Sequence, residues 1–159
     1  MPRETARESL LDAAERRARA GGYNGFSFRE IAADVGVKSA SVHYHFPTKA
    51  ALAEALAERY TARARDTLGT PRDGAEAVAR VTALFRDALT VEDRMCLCGV
   101  FGAERDALPP EVARATAGFF RMLWDYLVGA GVAPAPIIAT LEGALILARV
   151  LENPEAFEA

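Results

Sequence analysis

The polar and aromatic residues best suited to recognition chemistry lie close together, between residues 38 and 49. A short helix in this stretch places Val42 and Phe46 four residues apart on one face. The opposite arc carries Ala40, Ser41, His43 and Tyr44. Small residues allow close approach, and the others supply donors and acceptors for base edges or phosphates. The pattern therefore predicts non-covalent recognition of nucleic acid, with no bond made or broken.

A second short helix must hold this one in place. Ser27 and Glu30 have capping-box spacing, and Phe26 and Ile31 have the spacing of a hydrophobic staple, so we expect a helix that starts at Ser27. Gly36 stands where the chain needs the left-handed conformation that glycine adopts without steric cost. The sequence therefore predicts two short helices joined by a glycine turn, an arrangement that many folds share.

The next helix begins directly after Pro47. Thr48 is expected to cap it, and Lys49 then lies in its first turn, where the positive end of the helix dipole disfavours a cation. A phosphate beside this helix start would remove that penalty, whereas the simpler interpretation is a solvated lysine.

Residues 4–56, with the segments GYNGFSFREIAADVGV and KSASVHYHFPTKAAL, closely resemble the amino-terminal DNA-binding domain of TetR-type transcriptional regulators. The resemblance implies that Arg29 contacts a base or phosphate, that Ser39 and Ser41 face bases, that Tyr44 packs on the DNA and that Lys49 binds a phosphate. Lys38 and His43 depart from the family, which usually has serine and tyrosine there. The full set of candidate DNA-binding residues is Arg29, Lys38, Ser39, Ala40, Ser41, His43, Tyr44, His45 and Lys49.

Composition and charge agree with a small folded regulator. The 159 residues are 51% hydrophobic and 26% charged, with a net charge of −3. The charge is uneven, because residues 1–65 hold 11 Lys and Arg against 8 Asp and Glu, whereas residues 66–159 hold 8 against 14. Because the amino-terminal part is basic and the rest of the chain is acidic, we expect only the amino-terminal part to attract phosphates. No run of apolar residues is long enough for a membrane span, so we expect a cytoplasmic protein with no membrane partner.

Helical spacing of apolar residues continues along the chain, which predicts an all-α fold with a three-helix helix-turn-helix head and a helical ligand-binding and dimerisation body. We expect the head over residues 1–48, a connecting helix over 49–68 and the body over 69–159. A capping box at Thr5 and Glu8 predicts a first helix that runs to Gly21 and Gly22, and Arg3 before it is a candidate phosphate contact. The last two helices are expected over residues 110–128 and 136–151.

The last helix is apolar on two adjoining sides. Ile138, Leu141, Leu145 and Ala148 form one side, and Ile137, Ala144, Leu147 and Leu151 lie beside them. A small domain cannot cover both sides, so we expect a homodimer rather than a monomer with a broad core helix. The resemblance implies a four-helix interface from the last two helices of each subunit. Two reading helices about 34 Å apart would then require a near-palindromic double-stranded DNA operator.

The resemblance also implies a repressor that releases DNA when a small-molecule effector enters an apolar cavity in the body. Candidate lining residues are Phe85, Cys96, Phe101, Phe119, Leu123, Trp124, Leu141 and, as a polar anchor, Glu142. Two alternatives stay open. Cys96 and Cys98 could make the chain a thiol-based redox regulator, and a DNA-free dimeric interaction protein or enzyme is the third class. Two thiols are too few for a metal site, no catalytic signature is present, and neither an enzyme nor a cofactor is expected.

Overall fold

The computed structural model describes residues 3–158, with side chains from residue 5 onward, and this part is helical without any strand. The helices are α1 (Arg3–Gly21), α2 (Phe28–Val35), α3 (Ser39–His45), α4 (Lys49–Leu68), α5 (Gly74–Thr90), α6 (Leu97–Ala103), α7 (Pro110–Gly129) and α8 (Pro134–Val150). Short 3₁₀ turns occupy Tyr23–Gly25, Arg105–Ala107 and Pro154–Phe157. The prediction of an all-α fold is confirmed. No described helix is both long and apolar enough to cross a membrane.

Helices α1, α2 and α3 enclose a hydrophobic core built on Leu10, Phe26, Ile31 and Val42, all buried. The start of α4 completes this core. Residues of α6 and α7, among them Phe101, belong to the same buried cluster. The head is therefore packed directly onto the body, rather than joined to it by the α4 helix alone.

The second core lies between the carboxyl half of α4 and the helices α5, α7 and α8. Its centre is formed by Phe85, Phe119, Leu123 and Leu145, which are at most 2% exposed. After α8 the chain turns back, so that Phe157 is buried against this core and Glu158 forms an ion pair with Arg86.

Two predicted helix starts are wrong. Helix α1 already includes Arg3, so Thr5 does not cap it, and the Thr5 carbonyl accepts a hydrogen bond from the Ser9 hydroxyl inside the helix. The Arg3 side chain, a candidate phosphate contact, lies outside the described residues. Helix α8 begins at Pro134, two residues before the expected Pro136, because either proline suits the first turn of a helix.

Candidate nucleic-acid interface and body cavity

The turn between α2 and α3 has the geometry that the sequence predicts. The Ser27 hydroxyl accepts the Glu30 amide at 3.3 Å and donates to the Glu30 carboxylate at 2.7 Å. The Glu30 carboxylate therefore binds the Ser27 hydroxyl. In a standard capping box it would bind the Ser27 backbone amide instead. Gly36 adopts φ 74° and ψ 32°, and the Val37 amide bonds the Ala32 carbonyl at 2.9 Å, which ends α2 and redirects the chain.

Helix α3 divides into a buried face and an exposed face. Val42 is fully buried and Phe46 is 3% exposed, both against the head core. The exposed residues at the start and on the outer arc of the helix are Lys38, Ser39, Ala40, Ser41, His43 and Tyr44. Tyr44 is 65% exposed and His45 is half-buried. Every residue assigned to DNA on α3, except His45, therefore lies on one accessible surface.

Aromatic contacts join α2 to α3 beneath this surface. The His43 ring meets the Phe28 ring edge to face, with centroids 4.6 Å apart, and the His45 ring lies 5.2 Å from the Tyr44 ring. His45 also tilts toward Phe46. His43 thus contacts α2 while remaining exposed, whereas the half-buried His45 supports the position of Tyr44 more directly than it offers atoms to a ligand.

Lys49 does not extend freely into solvent. Thr48 caps α4 by accepting the Ala51 amide at 3.0 Å, as expected. The Lys49 ammonium then lies 4.6 Å from the centre of the Tyr23 ring and 4.7 Å from that of Phe26. Burial lowers the pKa of this amine. The two aromatic rings hold the ammonium against the head, and the solvated interpretation is wrong.

Ion pairs hold the reading helices to the rest of the molecule. Arg17 of α1 binds Asp34 of α2 through two hydrogen bonds, of 2.6 and 2.9 Å, and a third reaches Glu30 at 3.2 Å. The Asp34 pair raises the pKa of the Arg17 guanidinium and lowers that of the Asp34 carboxyl. These contacts fix the angle between α1 and the reading pair.

Helix α1 is tied to α4 by a buried carboxylate. Glu15 is 6% exposed and accepts hydrogen bonds from Arg59 at 2.8 Å and Arg63 at 2.6 Å. Arg59 also pairs with Glu8 and Asp12 on α1. This partly buried network of charged hydrogen bonds makes α1 and α4 move as a unit.

Many arginines of the head are thus neutralised within the protein, but two basic residues near α3 are not. No ion pair among residues 5–158 includes Arg29 or Lys38, and both are exposed. Arg16 and Arg65, on α1 and α4, are also exposed and outside the described ion pairs, so Arg29 and Lys38 place only part of the free positive charge beside the reading helix.

The body contains a cavity of about 930 Å³ between α6, α7, α8 and the end of α1. Aromatic and aliphatic side chains form much of its wall, including Phe120, Trp124 and Ile146. Glu142 of α8 lies in the wall, and burial raises the pKa of its carboxyl to about 7, partly offset by a hydrogen bond with the Cys96 thiol.

The cavity also touches the head. Ala20, Gly21 and Gly22 at the end of α1 line it, together with Glu104 and Arg105 of the body. The Glu104 carboxylate accepts the Tyr23 backbone amide at 2.7 Å. Gly22, at φ 70°, has no room for a side chain here, because a Cβ atom would overlap the Glu104 carboxylate. One cavity wall is therefore the contact between head and body.

The family model for bacterial regulatory proteins of the tetR family matches residues 10–56, which span most of α1, the pair α2 and α3, and the start of α4. A TetR transcriptional regulator from Legionella pneumophila is 29% identical, with a TM-score of 0.81 over 95% of this chain and 90% of that one. Residues 10–56 therefore form a tetR-family domain, and the whole chain has the fold of a TetR regulator.

Two further TetR-family folds are similar in structure. A TetR-family regulator from Agrobacterium tumefaciens has a TM-score of 0.82 at 24% identity, over 98% of this chain and 93% of that one. The reduced form of E. coli NemR has a TM-score of 0.72 at 21% identity, over 97% and 92%. No curated protein matches the sequence. The family match over residues 10–56, together with the 29% identical regulator, supports a DNA-binding transcriptional regulator rather than an enzyme.

The structure places only two of the eight predicted cavity residues at this cavity. Trp124 and Glu142 line the cavity. The other six, Phe85, Cys96, Phe101, Phe119, Leu123 and Leu141, are at most 7% exposed and pack in the two cores. Sequence spacing marks a buried aromatic but does not distinguish a core from a cavity wall. Gly99, Phe120 and Thr116, which do line the cavity, were missed for the same reason.

An exposed apolar face runs along α7 and α8. It consists of Trp124 and Val128 on α7 and Ile146, Leu147, Val150 and Leu151 on and after α8, each between 47% and 75% exposed. We call these six residues the apolar face. Trp124 and Ile146 also line the cavity, so the cavity opens onto this face. On the first side of α8 Leu141 and Leu145 are buried; on the second side Leu147 and Leu151 are exposed, whereas Ile137 and Ala144 pack partly on the second core.

Both cysteines are free and buried at the start of α6. The Cys96 sulfur accepts the Gly99 amide at 3.3 Å. Burial, with Glu142 nearby, raises the pKa of both thiols well above the ordinary value. A reactive cysteine needs the thiolate, so this environment disfavours the redox alternative.

Proposed function

We propose that this regulator is a repressor that binds a near-palindromic operator as a homodimer and leaves it when a small molecule enters the body cavity. The observation that carries the DNA part is the exposed arc of α3, with its small and polar residues beside Arg29 and Lys38. Repression and effector release extend what is usual in the TetR family to this chain.

In this proposal α3 enters the major groove. Ser39, Ser41 and Tyr44 approach base edges or the adjacent backbone, and Arg29 and Lys38 bind phosphates.

The remaining candidates of the head have supporting roles. Ala40 permits close approach, while His43 and His45 act mainly by holding the surface. Lys49 would reach a phosphate only by leaving the rings of Tyr23 and Phe26, so we rank it as a secondary contact. The division into a head over 1–48, a connecting helix over 49–68 and a body over 69–159 stays part of the proposal.

The apolar face supports the homodimer. Six large apolar side chains, clustered on two neighbouring helices, form a surface that monomers rarely expose. A twofold pairing of α7 and α8 would bury it in a four-helix interface and would place the two heads for a symmetric site. A Cβ atom added to Gly143 on α8 would meet no heavy atom within 4 Å, so this position leaves room for a partner helix.

The position of the cavity supports effector release. Its wall includes the Glu104 contact with Gly22 and Tyr23, and Tyr23 in turn packs on Phe26 and Phe101. A molecule that binds better when this contact is displaced would change how α1 and the reading helices sit on the body. Helix α4, tied to α1 by ion pairs, would move with the head.

The proposed DNA binding is tested by selecting bound duplexes from a random pool and measuring the affinity of the protein for the selected sequence. We expect affinity that falls steeply with salt, and a loss of about tenfold or more in Tyr44→Ala, whose side chain is 65% exposed. Thr90→Ala, at an exposed position on α5, is the matched control. Absence of binding at every salt concentration would favour the DNA-free alternative instead.

The dimer is tested by sedimentation equilibrium with Leu147→Glu, which introduces a negative charge into the apolar face. We expect a monomer for this variant and a dimer for the parent chain. Val91→Glu is the control, because Val91 is 77% exposed but lies outside that face. An unchanged dimer in Leu147→Glu would reject the proposed interface.

The redox regulator is the second candidate, supported only by the two thiols. Replacing Cys96 and Cys98 by serine separates the two functions, since an oxidant response that survives in this variant cannot come from these thiols. Their burial leads us to expect no oxidant response in the parent chain either.

A further inference from the structure

Two buried polar atoms in the cavity wall lack hydrogen-bond partners among the described residues. They are Oε1 of Glu142 and Oγ1 of Thr116, on helices α8 and α7. Nearly all buried polar groups in folded proteins are hydrogen-bonded, and each exception calls for an explanation. Both atoms have almost no accessible surface, so a bound molecule would meet Glu142 through the part of its side chain that lines the cavity.

The protein makes room for the Glu142 carboxylate. Its second oxygen lies against Gly99 of α6, where a Cβ atom would overlap it. A side chain at this position would force the carboxylate to shift, and the Cys96 thiol at the start of the same helix contributes a hydrogen bond. The packing of α6 therefore leaves space for the carboxylate within an otherwise apolar wall.

Around the carboxylate the wall is apolar and aromatic. Phe120 and Trp124 of α7 and Ile146 of α8 form the broad surface, and Met95 and Val100 add to it. Aromatic faces attract cations as well as apolar groups. A ligand that matches this wall has an extended apolar body and a single positive group.

We propose that the cavity binds a lipophilic amine, with its protonated nitrogen beside the Glu142 carboxylate and its apolar body against Phe120 and Trp124. This inference rests on the proposed function, in which the body cavity receives the effector. It adds the chemical class of the effector and the residue that selects it.

The charged groups around the cavity favour a cation over an anion. The titratable groups that face Glu142 or line the same cavity are Cys96 and Cys98 at the start of α6, Arg121 from α7, and Glu104 and Arg105 before α7. Arg105 and Arg121 are exposed, so water screens them, whereas Oε1 of Glu142 is buried and acts at short range. The Glu142 carboxylate would repel an anionic ligand, and the neutral thiols carry no positive charge that would offset this repulsion.

The test uses three probes with the same ring: pyrenylmethylamine, pyrenylmethanol and pyrenecarboxylic acid. Trp124 is the only tryptophan in the chain and lines the cavity, so quenching of its fluorescence with energy transfer to pyrene reports binding at this site. No DNA is present, so the outcome does not depend on operator recognition. At about pH 8 we expect the amine to bind at least about tenfold more tightly than the alcohol, and the acid to bind most weakly.

Glu142→Gln keeps the shape of the side chain and removes its charge. In this variant we expect the preference for the amine over the alcohol to disappear, while Glu58→Gln, an exposed carboxylate on α4, keeps it. From pH 8 to pH 6 the amine should lose about tenfold in affinity as Glu142 takes up a proton, and the alcohol should not.

Three results would overturn the proposal: no binding of the amine, equal or tighter binding of the alcohol or the acid, or an amine preference that persists in Glu142→Gln. Circular dichroism of the variant checks that it is folded. An amine that binds as expected but leaves DNA affinity unchanged would count against effector release and not against the ligand class.

Discussion

The Glu142 carboxyl gives the sharpest stability prediction. Burial raises its pKa from 4.5 to about 7, so between these two pH values the folded chain binds a proton that the unfolded chain releases. The free energy of unfolding must therefore fall as pH rises through this range. At 1.36 kcal/mol for each pKa unit, the loss amounts to about 3 kcal/mol once the pH exceeds 7. Glu142→Gln cannot ionise and should escape this loss.

Urea unfolding at one protein concentration, near pH 5 and near pH 8.5, measures the effect. We expect Glu142→Gln to exceed the parent chain by less than about 1 kcal/mol at the lower pH and by about 3 kcal/mol at the higher pH. Glu58→Gln should stay within about 0.5 kcal/mol of the parent at both. The reasoning is refuted if the advantage of Glu142→Gln is the same at both pH values, since a new hydrogen bond made by the amide would stabilise the fold equally at each.

Three further predictions concern the head and its contact with the body. Gly36→Ala should lower the free energy of unfolding, measured by thermal unfolding, by about 1 kcal/mol. The cost comes from the backbone, because φ is 74° and the added methyl group meets no other atom. In the same assay Gly21→Ala, in the last turn of α1, should raise the free energy of unfolding slightly. Glu15→Gln should reduce it by about 3 kcal/mol, with little dependence on salt, since a buried ion pair loses one partner. Glu104→Ala should speed hydrogen exchange at the Tyr23 amide, which loses its acceptor, and unchanged exchange would contradict the contact.

The head could be predicted from sequence because its signals are local. The Ser27 cap, the Gly36 turn and the Val42 and Phe46 spacing each depend on residues within a few positions of one another, and the structure has all of them. Lys49 shows the limit of such reasoning. Its helix position was predicted correctly, but its ammonium contacts the ring of a tyrosine more than twenty positions earlier, and only the packing of α1 against α4 brings the two together.

The cavity could not be predicted in the same way, because it forms where several helices fail to fill space. Large aromatics such as Phe101 and Phe119 were natural candidates but are the residues that fill the cores. The wall depends instead on small residues, among them Gly22 and Gly99, whose importance appears only when a neighbour occupies the space beside them. Glu142, expected from the resemblance as a polar anchor, does line the cavity.

The arrangement of polar contacts bears on how the cavity would act on the head. Helices α1, α2 and α4 are joined by several ion pairs. At the cavity wall itself the head meets the body through the Tyr23 amide bonded to Glu104. Beside the wall, Arg19 bonds the Met95 carbonyl and pairs with Glu92, and Arg94 bonds the Arg16 carbonyl. An element with many fixed contacts moves as one body, and motion concentrates where contacts are few. An occupied cavity would therefore act at the junction of Gly22 with Glu104 and would turn the whole reading head, leaving the geometry of α2 and α3 intact.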